Sequence, residues 1–453
     1  MSLLIKDATV VTVDKAHNIF APGAVFIDGK RIVDVGPSQA VAGRHANAQR
    51  VIDGRGKVVA PGFVNLHAHV GNTVFRGRSE DAGFGCVTGQ YFPMAAVISR
   101  EERLAVGSLT YAELLRGGVT TVLEMEEDAD IYAPFVERLG IRSAIGVMIH
   151  DVDLAGVVKG EFHHVASLSH TQLRQAIDFA ERWHGKADGR ITAMMTPNMT
   201  ISSSPEQLRG ARAAADRLGL RLSIHLGWGP DEDSIVRARR GTGTFEYARD
   251  NGLLASDVVV AHGYYTGETG LGLMAEARAH LAHCPLMNAV RGSIAPVKEY
   301  RAQGVNVGLG LDNMFSDYFE VLRAAVAVAR IRAGHPTAIL APDALELATM
   351  GGAKALGMER EIGSLEAGKR ADLIVLDYRA FGLAPVLDPV QTLVYHAHAS
   401  DVETVLVDGR IVVEGGAVVG ADERALVDGA EAAAASAWSR FVERFGVTWR
   451  TAS

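Results

Sequence analysis

The chain contains the stretch Pro61-Gly62-Phe63-Val64-Asn65-Leu66-His67-Ala68-His69, an apolar run that ends in two histidines separated by one residue. The run has the length and composition of a buried β-strand. Side chains at positions i and i+2 of a strand point to the same face, so His67 and His69 are expected to project together from the end of this strand. Two imidazoles on one side suit a divalent metal ion.

Strand-like and helix-like segments alternate after this stretch. The strand-like runs are residues 64–66, 120–123, 143–147, 191–194, 221–224, 257–260, 279–282 and 305–309. Helical segments lie between them, and examples are residues 101–117, 170–184, 205–218 and 318–333. This alternation indicates a parallel α/β sheet, and eight repeats favour a closed (β/α)8 TIM barrel over an open sheet.

Both ends of the chain have a different pattern, in which short β-branched runs are joined by tight turns. Asp28-Gly29 and Asp408-Gly409 each lie between two such runs, and Asp-Gly is typical of β-hairpin turns. We therefore predict a small β-sandwich domain built from residues 1–60 and 361–453, with an Ala-rich terminal helix. The barrel is expected to span residues 61–360.

Three further residues of metal-binding type follow predicted barrel strands. His225 ends the fifth strand, His262 ends the sixth and Asp312 ends the eighth. The carboxyl ends of barrel strands meet at one mouth, where the active sites of this fold lie. We therefore expect these side chains to converge there with His67 and His69.

A second pair of histidines provides an internal comparison. His396 and His398 are also separated by one residue, but they lie beyond the eighth predicted strand. No other residue of metal-binding type is arranged around them in the pattern, so we expect this pair to have no part in the site.

The composition is that of an ordinary globular protein. The 453 residues are 48% apolar and 22% charged, with a formal net charge of −8. A mildly acidic chain without a basic block argues against nucleic-acid binding, and two cysteines exclude a disulfide scaffold. The sequence has no signal-peptide pattern and no long uncharged apolar segment, so we expect a soluble cytoplasmic protein with no membrane partner.

Six segments together resemble one known family. They are Pro61 through His69, Leu114-Leu115-Arg116-Gly117-Gly118-Val119-Thr120-Thr121, Ala261-His262, His283-Cys284-Pro285-Leu286-Met287-Asn288, Gly310-Leu311-Asp312-Asn313 and Ile362-Gly363-Ser364-Leu365-Glu366-Ala367-Gly368-Lys369-Arg370-Ala371-Asp372-Leu373. With these segments the chain resembles the amidohydrolase superfamily over nearly its whole length. The most similar branch contains cytosine deaminase, S-adenosylhomocysteine deaminase, guanine deaminase and the triazine hydrolases.

The resemblance implies a metal site. His67, His69, His225 and Asp312 would hold one divalent ion, for which zinc is the first choice and iron, cobalt and manganese are alternatives. Two-metal relatives often have a bridging lysine on the fourth strand, and residues 191–196 contain none. A single ion is therefore expected.

The resemblance also implies catalytic roles. His262 would hydrogen-bond the metal-bound water, and Asp312 would take its proton. A divalent cation lowers the pKa of bound water from 15.7 towards about 7, so hydroxide would be present at neutral pH. His283, at the end of the seventh strand, would face the substrate.

Two positions depart from the pattern of the deaminases. These enzymes have His-x-x-Glu after the fifth strand, where the glutamate shuttles protons, whereas this chain has Trp228 at the glutamate position. Trp228 is expected to line the pocket and stack on a flat substrate, with the nearby Asp231 or Glu232 as a substitute shuttle if the loop is rearranged. After the fourth strand, Asn198 replaces the histidine of the purine deaminases and is expected to contact substrate. Both changes predict weak adenine- or guanine-type deamination.

The sequence therefore predicts a mononuclear metal-dependent hydrolase that cleaves a C–N bond, as an aminohydrolase of a small heterocycle or cyclic amidine. Two alternatives remain open at this point. One is an amide, carbamate or urea hydrolase, or a dehalogenase, on the same scaffold. The other is an inactive relative that only binds a small molecule. By resemblance to the family, we expect a homo-oligomer.

Overall fold

The computed structural model describes residues 2–83, 85–157 and 161–446. Its strands are β1 (Ser2–Val11), β2 (Ile19–Asp28), β3 (Arg31–Pro37), β4 (Arg50–Asp53), β5 (Lys57–Pro61), β6 (Phe63–Ala68), β7 (Val119–Glu126), β8 (Arg142–Ile149), β9 (Ile191–Pro197), β10 (Arg221–Leu226), β11 (Val258–His262), β12 (His280–His283), β13 (Asn306–Leu309), β14 (Leu373–Asp377), β15 (Val402–Val407), β16 (Arg410–Glu414) and β17 (Ala417–Val418).

The α-helices are α1 (Ser38–Arg44), α2 (Phe92–Ala95), α3 (Arg100–Arg116), α4 (Ala133–Leu139), α5 (Leu154–Val157), α6 (Ala166–Trp183), α7 (Lys186–Gly189), α8 (Pro205–Leu218), α9 (Pro230–Arg240), α10 (Thr244–Asp250), α11 (Gly267–Ala277), α12 (Pro285–Val290), α13 (Val297–Ala302), α14 (Tyr318–Ala333), α15 (Ala341–Glu346), α16 (Gly352–Ala355), α17 (Pro389–Tyr395) and α18 (Glu423–Phe445). Short 3₁₀ turns cover Val70–Phe75, Glu80–Ala82, Ala129–Tyr132 and Ala399–Asp401, and π-helical turns cover Val87–Tyr91 and Leu347–Gly351. None of the described helices is both long and apolar enough to cross a membrane.

Strands β6 to β13 form an eight-stranded sheet in sequence order, and each paired neighbour is parallel. Every predicted barrel strand overlaps one of them. The first and last strands meet at a parallel bridge between Ala68 and Asp312. The backbone N–H groups of Leu311 and Asp312 both donate to the carbonyl of His67, at 3.1 and 3.0 Å. These contacts confirm the predicted TIM barrel.

The two ends of the chain form a second, mixed sheet of nine strands. Its order is β17-β16-β15-β14-β5-β1-β2-β3, and β4 pairs with β1. Both predicted hairpins are present, one between β2 and β3 and one between β15 and β16. The first turns one residue later than predicted, at Gly29-Lys30, because Asp28 pairs with Arg31. At the second hairpin, Asp408 and Gly409 have φ of 51° and 70°, the left-handed pair that a two-residue hairpin turn requires.

The chain passes from the terminal sheet to the barrel at Gly62, between β5 and β6. The last helix, α18, lies on the barrel side, because the Trp438 indole N–H donates to the carbonyl of Val74 at 2.8 Å. The division into residues 1–60 with 361–453 and residues 61–360 stays a prediction.

Apolar side chains fill the centre of the barrel. They are Leu66, Leu123, Ala144, Met194, Val259, Ala261 and Ala282. At the mouth above them, a Cβ on Gly310 would lie only 2.9 Å from Cβ of His67 and 3.0 Å from Sγ of Cys284. The absence of a side chain at Gly310 therefore allows the eighth strand to approach the first where the two predicted ligands lie.

A buried ion network joins the barrel to the terminal sheet. The Arg142 guanidinium, at the start of β8, donates to the carboxylates of Asp372 and Asp408 at 3.0 and 2.7 Å. Asp408 has a second partner in Arg370, at 2.9 Å, whereas the side chain of Asp372 has Arg142 as its ion-pair partner. All three groups of the central triad are almost fully shielded from solvent.

We predict that Arg142→Met destabilises the protein by about 3–5 kcal/mol, because it leaves the Asp372 carboxylate buried without its counter-ion. The midpoint of chemical denaturation measures the change. Arg55→Met is the matched control, since Arg55 pairs with Asp53 at the surface and its removal should leave the midpoint unchanged. An equal effect of the two substitutions would contradict the assignment of the buried network as the joint between the sheets.

Candidate active site

The five residues predicted to converge do so at the carboxyl ends of the barrel strands. The ring centroid of His67 lies 4.8 Å from that of His69, 4.9 Å from that of His225 and 5.4 Å from that of His262. Possible metal-ligating atoms of His67, His69 and Asp312 lie within 4.8 Å of one another, and so do those of His67, His225 and His262.

The hydrogen bonds of the histidines leave nitrogen atoms facing a common point. Nδ1 of His69 contacts the carbonyl of Met125, and Nδ1 of His225 contacts the carbonyl of Asn198 at 2.8 Å. A carbonyl accepts, so each Nδ1 has the proton and each Nε2 presents a lone pair. These two Nε2 atoms are 3.0 Å apart, and both ring nitrogens of His67 are buried without a hydrogen-bond partner. The set fits a divalent cation.

Burial keeps these imidazoles neutral. Loss of solvent, reinforced by His67, lowers the pKa of His69 and His225 well below the ordinary histidine range. Burial likewise lowers the pKa of His262 to about 3. Neutral imidazole is the form that binds metal, so the surroundings favour the ligand-competent state.

Asp312 supplies the carboxylate of the cluster. Burial alone would raise its pKa, but His262, His67 and Arg291 together hold the pKa well below the usual range. Its Oδ1 lies 3.5 Å from Nε2 of His67 and accepts a hydrogen bond from Asn313 at 2.7 Å. Its Oδ2 lies 3.3 Å from Nη1 of Arg291. The two oxygens of Asp312 therefore face different partners.

A cavity opens onto this cluster. Its walls combine flat and apolar side chains with polar groups. The apolar lining includes Val87, Phe92, Ala95, Met148, Met199 and Trp228, and the polar lining includes Asn72, Arg103, Glu126, Glu127, Asn198 and Arg291. Both residues predicted to bind substrate, Trp228 and Asn198, line this cavity.

The loop that holds Trp228 is fixed from behind by Glu232. One carboxylate oxygen of Glu232 accepts the backbone N–H groups of Gly227 and Trp228 at 2.8 and 3.2 Å, and the other accepts the hydroxyl of Thr200 at 2.7 Å. Burial raises the pKa of Glu232 to about 8. Glu232 and the exposed Asp231 are both absent from the cavity lining, which leaves Trp228 as the side chain that faces the substrate space.

His283 ends β12 as predicted, but it lies deeper than the other histidines. The residue is 1% exposed, both ring nitrogens lack a protein partner, and it is not among the residues that line the cavity. Burial lowers its pKa to about 3. Its contact with substrate stays a prediction. His396 and His398 are exposed, in the segment between α17 and β15.

Four charged residues of the cavity were missed in the sequence. Glu126 ends β7 and Glu127 follows it, so the rule that located the histidines could have found them. Arg103 comes from α3 and Arg291 follows α12. Neither arginine lies in a strand-end motif, so their approach to the site depends on how helices pack around the barrel.

Comparison with known proteins places the chain in a family. A profile of the amidohydrolase family matches residues 58–412. The chain is 34% identical to the 5-methylthioadenosine/S-adenosylhomocysteine deaminase of Moorella thermoacetica, over 92% of this chain and 95% of that one. It is 32% identical to the 5′-deoxyadenosine deaminase of Methanosarcina acetivorans, over 95% and 97% of the two chains. The protein belongs to the amidohydrolase family.

Solved structures agree with this placement. The crystal structure of an adenosine deaminase from Xanthomonas campestris with bound zinc superposes with a TM-score of 0.89 at 27% identity, and covers 96% of this chain and 98% of its own. A triazine hydrolase variant superposes with a TM-score of 0.86 at 22% identity, over 96% and 99% of the two chains, which shows the shared fold.

The particular class of enzyme follows from the family and its relatives. The protein is a metal-dependent hydrolase that cleaves a C–N bond of a small heterocycle as an aminohydrolase. The relatives do not favour the alternatives of an amide, carbamate or urea hydrolase, a dehalogenase, or an inactive binding protein.

We predict that His67→Ala and His225→Ala each remove the bound metal and the activity, since each deletes one nitrogen ligand of the cluster. Elemental analysis of the purified variants measures the metal directly. His396→Ala is the control from the exposed pair and should retain both metal and activity. Loss of metal in His396→Ala with retention in His67→Ala would contradict the assignment.

Proposed function

We propose that this protein hydrolyses the exocyclic C–N bond of a purine-type nucleoside and releases the amine. The convergence of His67, His69, His225 and Asp312 on one end of a cavity with a flat wall at Trp228 supports this proposal most directly. The relatives named above as adenosine-type deaminases supply the substrate class.

One zinc ion is the proposed cofactor. His67, His69, His225 and Asp312 would hold it, and iron, cobalt or manganese could take its place. The fourth barrel strand, Ile191–Pro197, contains no lysine that could bridge a second ion. When bound, such an ion lowers the pKa of water towards about 7 and so supplies hydroxide at neutral pH.

His262 and Asp312 would handle the protons of the reaction. His262 lies at the cavity with its Nδ1 3.3 Å from the side-chain oxygen of Asn288. That contact fixes the ring, so its Nε2 is available to hydrogen-bond the attacking oxygen. Asp312 is buried and ionised beside the histidines, and can accept the proton which that oxygen loses.

The cavity would hold the nucleoside along its length. The base would stack on Trp228, as aromatic side chains in ligand sites often do. Glu127 and Arg103 also line the cavity. The Glu127 carboxylate lies 3.5 Å from Nε2 of His150 and 3.8 Å from Nη2 of Arg103, and this carboxylate and guanidinium would bind hydroxyl groups of a sugar.

Release of the amine would be the slow part of the reaction. Ammonia leaves well only after protonation, and Trp228 stands where the deaminases have a glutamate that delivers this proton. The indole has an N–H but cannot relay a proton. A nucleoside whose leaving group departs without protonation should therefore react faster than adenosine.

The matching prediction compares leaving groups. Wild-type protein should turn over 6-chloropurine riboside faster than adenosine, because chloride needs no proton. Trp228→Glu should raise the rate with adenosine by a factor of about 10²–10⁴. The rate with 6-chloropurine riboside should change little. Steady-state kinetics with both substrates measure the ratio.

Glu232→Gln and Asp231→Asn complete this comparison. Glu232 accepts three hydrogen bonds around the loop of Trp228, so Glu232→Gln should raise KM for both substrates alike. The assignment of Trp228 to the position of the absent shuttle fails on the following result. Glu232→Gln or Asp231→Asn abolishes turnover of adenosine but not of 6-chloropurine riboside, while Trp228→Glu leaves adenosine turnover unchanged. The proton shuttle would then reside at the substituted carboxylate.

A further prediction concerns His262. His262→Asn should lower kcat by a factor of about 10²–10⁴, the usual contribution of general acid–base catalysis. The metal content per chain should fall much less. Elemental analysis and kcat of the same preparation separate the two effects. An unchanged kcat would remove His262 from the mechanism.

We also propose a cytoplasmic homo-oligomer with no nucleic-acid or membrane partner. The mildly acidic composition argues against a nucleic-acid partner, and the two free, buried cysteines, Cys86 and Cys284, support a reducing compartment. The homo-oligomer rests on the family resemblance. Light scattering of the purified protein determines its oligomeric state, and fractionation of the source cells determines its compartment.

A further inference from the structure

Arg291 places a buried cation against the carboxylate of the metal-ligand cluster. It follows α12, its side chain is 7% exposed, and it lines the cavity. Nη1 lies 3.3 Å from Oδ2 of Asp312. Nη2 contacts the hydroxyl of Tyr91 at 3.4 Å and the thiol of Cys86 at 4.0 Å. The guanidinium therefore connects three parts of the barrel mouth. Arg291 itself follows the seventh strand, Asp312 follows the eighth, and Tyr91 and Cys86 belong to the segment that follows the first.

The chemistry of this cation differs from that of the glutamate which the deaminases have after the fifth strand, at the position of Trp228. The side chain is an arginine, whose guanidinium stays charged at neutral pH, and it is paired with Asp312 at 3.3 Å. A guanidinium in this state donates hydrogen bonds and cannot accept or deliver a proton at neutral pH. It can stabilise negative charge beside the reacting carbon, as preorganised donors do in other enzymes.

We propose that Arg291 is a substrate-binding catalytic residue that donates a hydrogen bond to the acceptor atom next to the reacting carbon. This inference rests on the proposed function. In a purine nucleoside that atom is the ring nitrogen N1. When hydroxide adds to C6, the C6–N1 π pair moves onto N1, where the guanidinium faces it. Collapse of the adduct breaks the C6–amine bond and forms the carbonyl. The proton of the added oxygen passes by way of His262 to the departing amine, and the proton that Asp312 took from the attacking water returns to N1 of the product.

This role explains how the site can work with Trp228 in place of an acid. A deaminating glutamate neutralises the ring nitrogen by protonating it. Arg291 would instead stabilise the negative charge on the ring nitrogen by electrostatic attraction, so this nitrogen needs no proton during the addition. The amine would still leave slowly, because Arg291 does not protonate it. The site would then prefer heterocycles that have a hydrogen-bond acceptor next to the reacting carbon. The pKa of that acceptor would not affect the preference.

Binding of two unreactive nucleosides tests the inference. 6-Methylpurine riboside and its 1-deaza analogue differ only at N1, and neither has a leaving group. Calorimetry on the zinc-loaded wild-type protein should show about 10- to 100-fold tighter binding of the nucleoside that has N1, the usual range for a hydrogen bond to a charged group. Arg291→Met should reduce this preference to nearly one, and Arg291→Lys should keep part of it. Elemental analysis of Arg291→Met should give wild-type zinc content.

Arg103→Met is the matched control, because Arg103 lines the same cavity but pairs with Glu127 and Asp128 and not with Asp312. This substitution should weaken the binding of both nucleosides equally and leave the preference for the nucleoside with N1 intact. Zinc loss in Arg291→Met would overturn the inference and make Arg291 a support for Asp312 alone. A wild-type protein that binds both nucleosides equally would overturn it while leaving the proposed function intact. Failure to bind either nucleoside, with no turnover of 6-chloropurine riboside, would overturn both.

Discussion

Closure of the barrel between its first and last strands determines the geometry of the whole site. The carbonyl of His67 accepts the backbone N–H groups of Leu311 and Asp312, and the backbone N–H of His69 donates to the carbonyl of Asp312 at 2.9 Å. The same residues supply three of the predicted metal ligands. Their side chains can therefore converge only when the strands have closed, and Gly310 provides the space for that approach.

Two residues of the site have backbone conformations that L-amino acids rarely adopt. His262 has φ of 76° and Asp312 has φ of 68°, and each such residue costs about 1–3 kcal/mol. The neighbouring hydrogen bonds of the strand ends offset this cost. The left-handed turn at each position directs the side chain across the mouth of the barrel, and an unstrained continuation of the strand would carry it past the cluster.

The barrel could be predicted from the alternation of strands and helices, and the convergence of five side chains could be predicted from their positions at strand ends, whereas the ligand set was implied by the family resemblance. An apolar run followed by histidine or aspartate places that side chain at the mouth of any parallel barrel, wherever the helices pack. The same rule extends to Glu126 and Glu127. It does not reach Arg103 or Arg291, whose positions depend on long side chains that cross between elements. Nor does it show that Glu232, four residues after Trp228, turns towards the backbone of its own loop.

The terminal sheet also constrains the order in which the chain can fold. Ala60 of β5 pairs with Ile374 of β14, so one strand leaves the ribosome long before its neighbour. At synthesis rates of about 5–20 residues per second, the interval is roughly 15–60 s. Through that time Val59, which becomes part of the apolar core of the terminal sheet, has no partner from the second half of the chain. All eight barrel strands emerge within the same interval, so the catalytic half can assemble while the sheet that joins the two ends is still incomplete.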